Sequence, residues 1–360
     1  MAEPELSTMA VYSAKPTVRI DTEEHTEINE LTIGMQITES EGGMSTAELR
    51  LSNVPEESGA EGLAFDDNSI VTLGAKLAIY AGDETGPQEI FRGTITAFEM
   101  NFPEYTPPEI VVLAEDVFQQ ARMERRTQVY EEMTISDLAD ELAGRLNLSA
   151  VVTGFTDDIG TWVQLNESDL AFMRRVLARH DGDLQVVGDE LHVSPRADVQ
   201  RGTLDLELHS QLRSARAFVD LAHQVTEVTV AGWDAAQGER VTGTSTGANG
   251  LPGSGTTGAE LLSDAIVDRS HHIGHLAVKT SAEAQALADA AFDQRARRLV
   301  CIEATAEGNP MLRVGTHVTL AGLGNKLSNT YYVTRARHSW DTEHGFETLF
   351  EAECGFLGDS

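Results

Sequence analysis

Three histidines are the first residues in the sequence whose types and spacing could do chemistry. His271 and His272 are adjacent and His275 follows three residues later. Neutral imidazole is the commonest metal ligand in proteins, and this spacing would suit a metal if all three rings lay on one helical face. The sequence places no carboxylate or cysteine partner beside them, and they follow a loop. We therefore expect clustered histidines in a solvated loop and no bound metal.

Two carboxylate patterns could support hydrolysis. Glu167 and Asp169 are close enough in sequence to form the acid and base pair of a glycoside hydrolase. Their place at the start of a predicted helix explains them equally well as capping residues. Asp181 beside His180 has no serine or cysteine nucleophile in a recognisable elbow, so a role at a helix end is expected. The sequence thus predicts no catalytic residues.

Two further patterns concern binding. The glycine-rich run GTSTGANGLPGSGTTG at residues 243–258 lacks the Lys-Ser/Thr of a phosphate-binding loop, so we interpret it as a linker or docking loop. Arg122, Arg125 and Arg126 form a basic cluster that fits either a solvated helix face or a salt bridge between subunits. We predict no cofactor and no site that binds one.

A repeated strand pattern organises the rest of the chain. Residues 74–116 read GAKLAIYAG, EIFRGTITAFEMNF and PEIVVLAED, and the same order of apolar-alternating runs returns at residues 314–353. Two further predicted strands precede each copy, at residues 30–40 and 44–53 and at residues 211–221 and 224–234. The sequence therefore predicts two five-stranded units with one strand order, which indicates a duplicated domain.

A change of hydrophobic period marks an insert between the units. Thr134 with Asp137 predicts the capped start of one helix, a second helix is expected to begin at Asn166, and a hairpin is expected around Gly188. A helix capped by Thr280 is expected to plug the second barrel. The predicted boundaries are an N-terminal arm at 1–25, a first unit at 26–116, an α+β insert at 117–205 and a second unit at 206–360, interrupted at about 235–311.

The composition excludes several classes of protein. The 360 residues carry 58 acidic and 26 basic side chains, and a net charge of −32 argues against a nucleic-acid groove. No apolar run approaches the roughly 18 residues that span a bilayer, and the N-terminus lacks the apolar core of a signal peptide. Synthesis and folding in the cytoplasm are therefore expected. Cys301 and Cys354 are expected to be buried thiols rather than a disulfide.

Three segments carry a resemblance to a known family. The run VQLNESDLAFMRRVLARHDGDLQVVGDELHVSP at residues 163–195 resembles a signature of phage late control protein D and of the N-terminal hub region of VgrG proteins. Residues 125–143 are similar to the helix that precedes this signature. Residues 329–353 resemble the closing strand pair of the same family, and the three segments occur in the family's order.

The resemblance implies a structural baseplate hub of a contractile phage tail or contractile injection system. Such a hub is a homotrimer that adapts the six-fold tail tube to the three-fold spike. The implied fold is mainly β with an α+β insert, in which two similar antiparallel tube-type β-barrel domains per chain build a pseudo-hexameric ring. Three copies of a duplicated unit give six similar units, so the duplication by itself favours the same answer.

The resemblance also implies partners and a location. The tail tube protein would lie on one side, a spike protein on the other, and further baseplate proteins around the ring, with no membrane and no specific nucleic-acid binding. The sequence stops directly after the last repeat strand, which resembles the arrangement with a separate spike chain. Assembly is expected in the cytoplasm, and the assembled protein is expected in the baseplate of the virion tail or extracellular particle.

Two other functions remain open at the level of sequence. One is a cell-wall hydrolase associated with a baseplate. The other is a monomeric adhesion module built of two β-domains, for which a cluster of exposed aromatic side chains is expected. Trp162, Trp233 and Trp340 are scattered along the sequence, which disfavours the adhesion module.

Overall fold

The protein is mainly β, with short helices and antiparallel sheets. The computed structural model describes residues 15–55, 62–67, 69–82, 87–157, 159–235, 237–248, 250–274 and 276–358. Within these ranges most strands belong to one thirteen-stranded sheet, and the others form four small sheets of two or three strands. This confirms the predicted fold class of a mainly β protein with an α+β insert.

The first unit is built from strands in which alternate side chains are apolar and buried. Leu49 and Leu51 show the pattern, since both have no exposed surface while their neighbours face outward. The elements are β1 (Thr17–Ile20), β2 (Glu23–Glu24), α1 (Thr26–Leu31), β3 (Thr32–Ser40), β4 (Thr46–Ser52), β5 (Lys76–Ala81), β6 (Gln88–Asn101) and β7 (Glu109–Glu115). Side chains from β1 and from β3 to β7 share one hydrophobic core, so these strands curl around it.

A strand lies within the segment that was predicted to be a loose N-terminal arm. Residues 1–14 lie outside the described part of the chain, but β1 pairs antiparallel with β5. Val18 and Ile20 are buried in the first core, which is why this segment is held as a strand. The prediction of a loose arm up to residue 25 was wrong for residues 17–20.

The described residues of the insert form three helices and five strands. They are α2 (Phe118–Met123), β8 (Arg125–Tyr130), α3 (Ile135–Leu146), β9 (Ser149–Val152), β10 (Trp162–Ser168), α4 (Asp169–Arg179), β11 (Gly182–Val187) and β12 (Glu190–Pro195). The predicted capping box of α3 is confirmed, since the side chains of Thr134 and Asp137 bond each other's backbone N–H groups. The hairpin of β11 and β12 around Gly188 is also confirmed.

The start of α4 differs from the prediction. Ser168, not Asn166, caps this helix by accepting a hydrogen bond from the backbone N–H of Ala171. Asn166 lies in β10, at an irregularity in the pairing with β8, where its backbone has φ of 49°. Asparagine tolerates this left-handed conformation. Because a polar residue suits both a bulge and a helix cap, the sequence alone did not show which of the two Asn166 forms.

The second unit begins with β13 and includes a small subdomain. Its elements are β13 (Gly202–Glu207), β14 (Leu212–Val219), β15 (Glu227–Asp234), β16 (Glu239–Ser245), β17 (Thr256–Thr257), α5 (Gly258–Ala265), β18 (Ser270–Ile273), α6 (Ser281–Ala296), β19 (Val300–Glu307), β20 (Thr316–Ala321), β21 (Asn329–Asp341), β22 (Gly345–Cys354) and β23 (Phe356–Leu357). A second core lies among β19 to β22 and the ends of β13 and β14.

One strand of the second unit was assigned wrongly from the sequence. The run at residues 224–234 becomes β15, the central strand of a separate sheet with the order β16-β15-β18. The strand that pairs with β14 is β19, some eighty residues later in the chain. Both runs alternate apolar and polar residues, and a period of two does not specify the partner of a strand.

Helix α6 packs on that separate sheet and does not plug a barrel. Leu287 and Ala288 share a buried cluster with Val230 of β15 and Val241 of β16. At Gly243 an added Cβ would lie only 2.2 Å from the backbone nitrogen of Gln285, so glycine is what lets the helix lie this close to the strand. The cap of α6 at Thr280 was predicted correctly, but the packing partner of the helix was wrong.

The two units have the same strand order. The first reads β3-β4-β7-β6-β5 and the second β14-β19-β22-β21-β20, and β21 pairs with β3 to join them into one sheet. An additional strand lies beside β5 and beside β20, namely β1 and β13. Strand β1 is antiparallel to its neighbour, whereas β13 is parallel. The boundaries of the domains given above stay a prediction.

Candidate functional site at the junction of the units and the insert

A buried ion-pair network lies where the insert meets both units. Arg196, at the end of β12, is only 4% exposed and pairs with Glu41 in the turn after β3 and with Glu353 of β22. Its guanidinium lies 3.3 Å from the ring centroid of Tyr332 in β21. One arginine of the insert therefore contacts the first unit and the second unit together.

A second arginine extends the network from the other side. Arg297, which follows α6, places Nη1 2.6 Å from both carboxylate oxygens of Asp181, and its Nε lies 3.0 Å from Glu353. Burial lowers the pKa of Arg297, but the carboxylates of Asp181 and Glu353 outweigh burial and hold it above its usual value. Asp181 is thus engaged as an ion-pair partner at the end of a helix.

A third buried pair joins the two units directly. Glu39 of β3 is 1% exposed, and Arg313 donates from Nε to its carboxylate over 2.8 Å. Burial raises the pKa of Glu39, but the charge and hydrogen bonds of Arg313 outweigh burial and hold it below its usual value. Buried charges of this kind fix geometry, because removing one partner leaves the other uncompensated.

Asp116 connects the first unit to the insert through hydrogen bonds. Its carboxylate accepts hydrogen bonds from the backbone N–H of Ser45 over 2.6 Å and of Phe118 over 2.9 Å. Burial raises the pKa of Asp116 to about 6, although both backbone donors oppose this shift. This carboxyl is therefore a titratable contact between β4, β7 and the start of α2.

The two carboxylates considered for hydrolysis are held by different cations. Asp169 is buried, accepts a hydrogen bond from Gln164 over 2.8 Å and lies 3.0 Å from Arg145. Glu167 pairs with Arg175 over 2.8 Å. The arrangement binds the start of α4 to α3 and β10, which is a structural role.

The histidine cluster is divided by the strand that contains it. His271 and His272 are successive residues of β18, so their side chains point to opposite faces of the sheet. The expectation of a loop was wrong here, because residues 270–273 pair with β15. His275 lies outside the described residues. In the described ranges, no group of three or more His, Cys, Asp or Glu side chains is arranged to hold a metal ion.

The basic cluster of the insert is paired within the chain. Arg122 lies 3.0 Å from Glu115, and Arg126 pairs with Glu124. Arg125 donates to the backbone oxygen of Asn166 over 3.4 Å. Arg125 and Arg126 belong to a strand, so the helix face considered from the sequence was wrong for these two residues.

The glycine-rich segment is attached to the second unit over much of its length. Ser254 donates its backbone N–H to the side chain of Asn329 over 3.1 Å, and Thr257 caps α5 in a capping box with Glu260. Residue 249 lies outside the described part of the chain. The segment therefore includes a docked loop and a helix start, and it is not a linker throughout.

The cysteines are free thiols with different environments. Cys354 is buried, as expected, and burial raises its pKa to about 11. Cys301 is exposed, contrary to the expectation, because the neighbouring Val300 takes the position that faces the core. The helices of the described segments are too short or too polar for any of them to cross a membrane.

The junction was not predicted from the sequence. Its partners are far apart along the chain, as for Arg196, which lies 155 residues from Glu41 and 157 from Glu353. One signal in the sequence could have indicated the junction. It is a carboxylate, Glu39, at a position of β3 where the alternation predicts a buried side chain.

Comparison with solved structures places this fold among tail proteins. The 43 kDa tail protein of prophage MuSo2 from Shewanella oneidensis is similar with a TM-score of 0.69 at 13% identity, covering 95% of this chain and 98% of that chain. A tail protein from Neisseria meningitidis MC58 is similar with a TM-score of 0.65 at 12% identity, covering 94% and 96%. The E. coli c3393 protein, described as a component of the type VI secretion system, gives a TM-score of 0.57 at 11% identity, covering 95% and 79%.

The comparisons of sequence give a family but no curated relative. No curated protein matches the chain. One family model, described as the Alg8 N-terminal domain, matches residues 14–341. Membership in the late control protein D or VgrG family is therefore not confirmed, whereas the tail-protein fold is. Because the family match spans most of the 360 residues, the chain belongs to the family of the Alg8 N-terminal domain.

Proposed function

We propose that the protein is the structural baseplate hub of a contractile phage tail or contractile injection system. In this proposal it forms a homotrimer that adapts a six-fold tail tube to a three-fold spike, and it works without catalysis or a bound metal. The observation that carries the proposal is the pair of equivalent units joined edge to edge in one chain. Three copies would supply six such units, as a ring beneath a six-fold tube requires.

The equivalence of the units extends to their irregularities. The pairing of β6 with β7 shifts at Thr96, between Ile95 and Ala97, and the pairing of β21 with β22 shifts at Thr334. The pairing of β3 with β4 likewise shifts at Ile33, and that of β14 with β19 at Arg213. Aligning the bulges gives a residue-by-residue correspondence in which β6 matches β21 and β3 matches β14.

This correspondence identifies two complementary open edges. Within the chain, residues 335–341 of β21 pair with residues 34–40 of β3. The equivalent edges are residues 97–101 of β6 and residues 214–219 of β14. Neither of these edges has a strand partner in the described part of the chain. A second copy would cover them, and sheet edges left open are otherwise sites of aggregation.

Both open edges carry large apolar side chains that are partly exposed to solvent. Phe98 is 38% exposed and Val219 is 42% exposed, although their equivalents, Ala336 and Glu39, are buried in the junction between the two units. Carrying over the observed register places Phe98 of one copy opposite Val219 of the next. Burial of both side chains would add to the backbone pairing.

The contact between these edges is head-to-tail, since each copy offers a different surface to each neighbour. Head-to-tail contacts form a closed ring only if the rotation between copies closes, and a turn of one third of a circle closes after three copies. The E. coli protein above is described as similar to T4 tail proteins gp27 and gp5, which supports a place in a tail or injection assembly.

The proposed partners follow from this place. The tail tube protein would bind one end of the ring, a spike protein the other, and further baseplate proteins the outer surface. We propose that the protein binds neither a membrane nor a specific nucleic acid. The net charge of −32 agrees with this, because it repels nucleic acid. The chain would be assembled in the cytoplasm and would then belong to the baseplate of the particle.

Sedimentation equilibrium of the purified chain tests the proposal. A homotrimer of the 39.0 kDa chain has a mass of about 117 kDa. Phe98→Glu should lower the trimeric fraction, because it places a charge where an apolar contact is proposed. Leu165→Glu, at a side chain 72% exposed on the insert, is the matched control and should leave the mass unchanged. A monomer at all micromolar concentrations, or a hexamer, would contradict the proposal.

A further inference from the structure

A polar cavity of about 510 Å³ opens at the junction of the two units and the insert. Its walls include Glu41 from the turn after β3, Arg174 of α4, and Arg295 of α6 with Arg298 just beyond it. This volume falls within the range of small-molecule sites. The cavity adjoins the ion-pair network, whose Arg196 and Arg297 form part of its lining.

The charge of the cavity is opposite to that of the chain. Arg196 and Arg297 are matched by three carboxylates, those of Glu41, Asp181 and Glu353. Three further arginines, at positions 174, 295 and 298, also line the cavity. The five lining guanidinium groups are therefore paired with three carboxylates in all, of which Glu41 and Asp181 line the cavity, and two positive charges remain in excess in a chain with a net charge of −32.

The three further arginines have no carboxylate within salt-bridge distance in the described ranges. Arg174 donates to the backbone oxygen of Gly42, and Arg295 donates to the backbone oxygen of Ala291 over 2.6 Å. Burial lowers the pKa of both guanidinium groups, and for Arg174 the charge of Asp116 opposes this shift without outweighing it. Arg298 is exposed at the rim. Such groups gain most from a bound oxyanion.

We propose that this cavity binds a small multivalent oxyanion, of the phosphate or polycarboxylate class, between Arg174, Arg295 and Arg298. The planar forks of the guanidinium groups match the geometry of phosphate and carboxylate oxygens. The bound anion neutralises the excess charge and bridges the insert to the second unit. The site requires only one chain, so it does not depend on the proposed homotrimer.

Isothermal titration of the full chain with pyrophosphate, and separately with citrate, tests the proposal. Binding of one anion per chain is expected, together with a rise in Tm because the anion stabilises the folded state. Raising the salt concentration should weaken the binding. If pyrophosphate binds and citrate does not, the ligand belongs to the phosphate class. If citrate binds and pyrophosphate does not, the ligand belongs to the polycarboxylate class. Failure of both anions to bind would refute the proposal.

Variants of the cavity locate the site. Arg298→Gln changes an exposed side chain and should leave the fold intact while weakening pyrophosphate binding about tenfold. Arg174→Gln, which changes the lining arginine of α4, should weaken it to a similar extent. Arg240→Gln, at an exposed arginine of β16 outside the cavity, should bind like the unmodified chain.

Two results of these variants would contradict the site. If all three variants weakened binding equally, the anion would be attracted by general surface charge. If Arg298→Gln and Arg174→Gln changed the mass of the assembly but left pyrophosphate binding intact, these arginines would serve a contact between chains instead. The Tm of each variant without anion shows whether its fold is preserved.

Discussion

At the scale of single residues, the charges that matter most are the few that are buried. Arg196 contacts the first unit through Glu41 and the second unit through Glu353, and it is almost inaccessible to water. Many other ion pairs of this acidic chain lie at the surface, where water and salt screen them. The junction therefore depends on a small number of desolvated groups.

Loss of Arg196 should be costly. Arg196→Met leaves Glu41 without its ion-pair partner and leaves Glu353 with Arg297 alone, and we expect the free energy of unfolding to fall by about 3 to 5 kcal/mol. Urea denaturation with linear extrapolation measures the change. Arg335→Met is the matched control, because Arg335 and its partner Glu351 are 49% and 45% exposed, and it should cost about 1 kcal/mol or less. Equal losses in the two variants would show that burial of the pair is unimportant.

Asp116 should make stability depend on pH. Its pKa rises from 3.8 to about 6 on folding, so the folded state binds the proton more tightly than the unfolded state. The contribution is fully present below pH 3.8 and is lost as the pH rises through 6, with a total of about 3 kcal/mol. The unfolding free energy of the unmodified chain minus that of Asp116→Asn should therefore fall between pH 4 and pH 6. A difference that stayed flat or rose would contradict the assignment.

At the scale of elements, the sequence predicted features encoded by neighbouring residues but not the pairing of strands that are distant in the chain. The capping box of Thr134 and Asp137 is encoded within four residues, so the start of α3 was predictable. The pairing of β14 with β19 spans some eighty residues of intervening chain, and β15 has the same alternation as β19. The sequence pattern of a strand specifies its faces but not its neighbour. The junction was unpredictable for the same reason, since its ion pairs join distant segments.

The cap of α3 gives a test at this scale. Thr134→Ala removes the hydroxyl that accepts from the backbone of Asp137, and the free energy of unfolding should fall by about 1 kcal/mol. Hydrogen exchange in the first turn of α3 should also become faster. Thr161→Ala, at an exposed threonine before β10, is the control and should change little. If both variants behaved alike, the box would not stabilise the helix.

At the scale of the whole molecule, the duplicated sheet is the central feature. The two units share strand order and the positions of two β-bulges, and the pairing of β21 with β3 joins them. The duplication was visible in the sequence because each copy preserves the same order of apolar-alternating runs. The open edges became visible only in the structure, because an edge is defined by which strands pair.

A disulfide trap measures most directly whether these edges meet between copies. Phe98→Cys and Val219→Cys are combined in one chain with Cys301→Ser, which removes the exposed thiol. Opposed residues of antiparallel strands have Cα atoms about 4.5 to 5.5 Å apart, within the range of a disulfide. Neither single cysteine variant should form the bond, and each serves as a control.

The proposed ring predicts a specific pattern of products. Mild oxidation of the double cysteine variant should give covalent dimers and trimers on a non-reducing gel, with no larger species, and each product should revert to monomer on reduction. The trimer should become the main product as oxidation proceeds, because the third bond closes the ring. Only monomer, or a ladder that extends beyond the trimer, would contradict the trimeric hub.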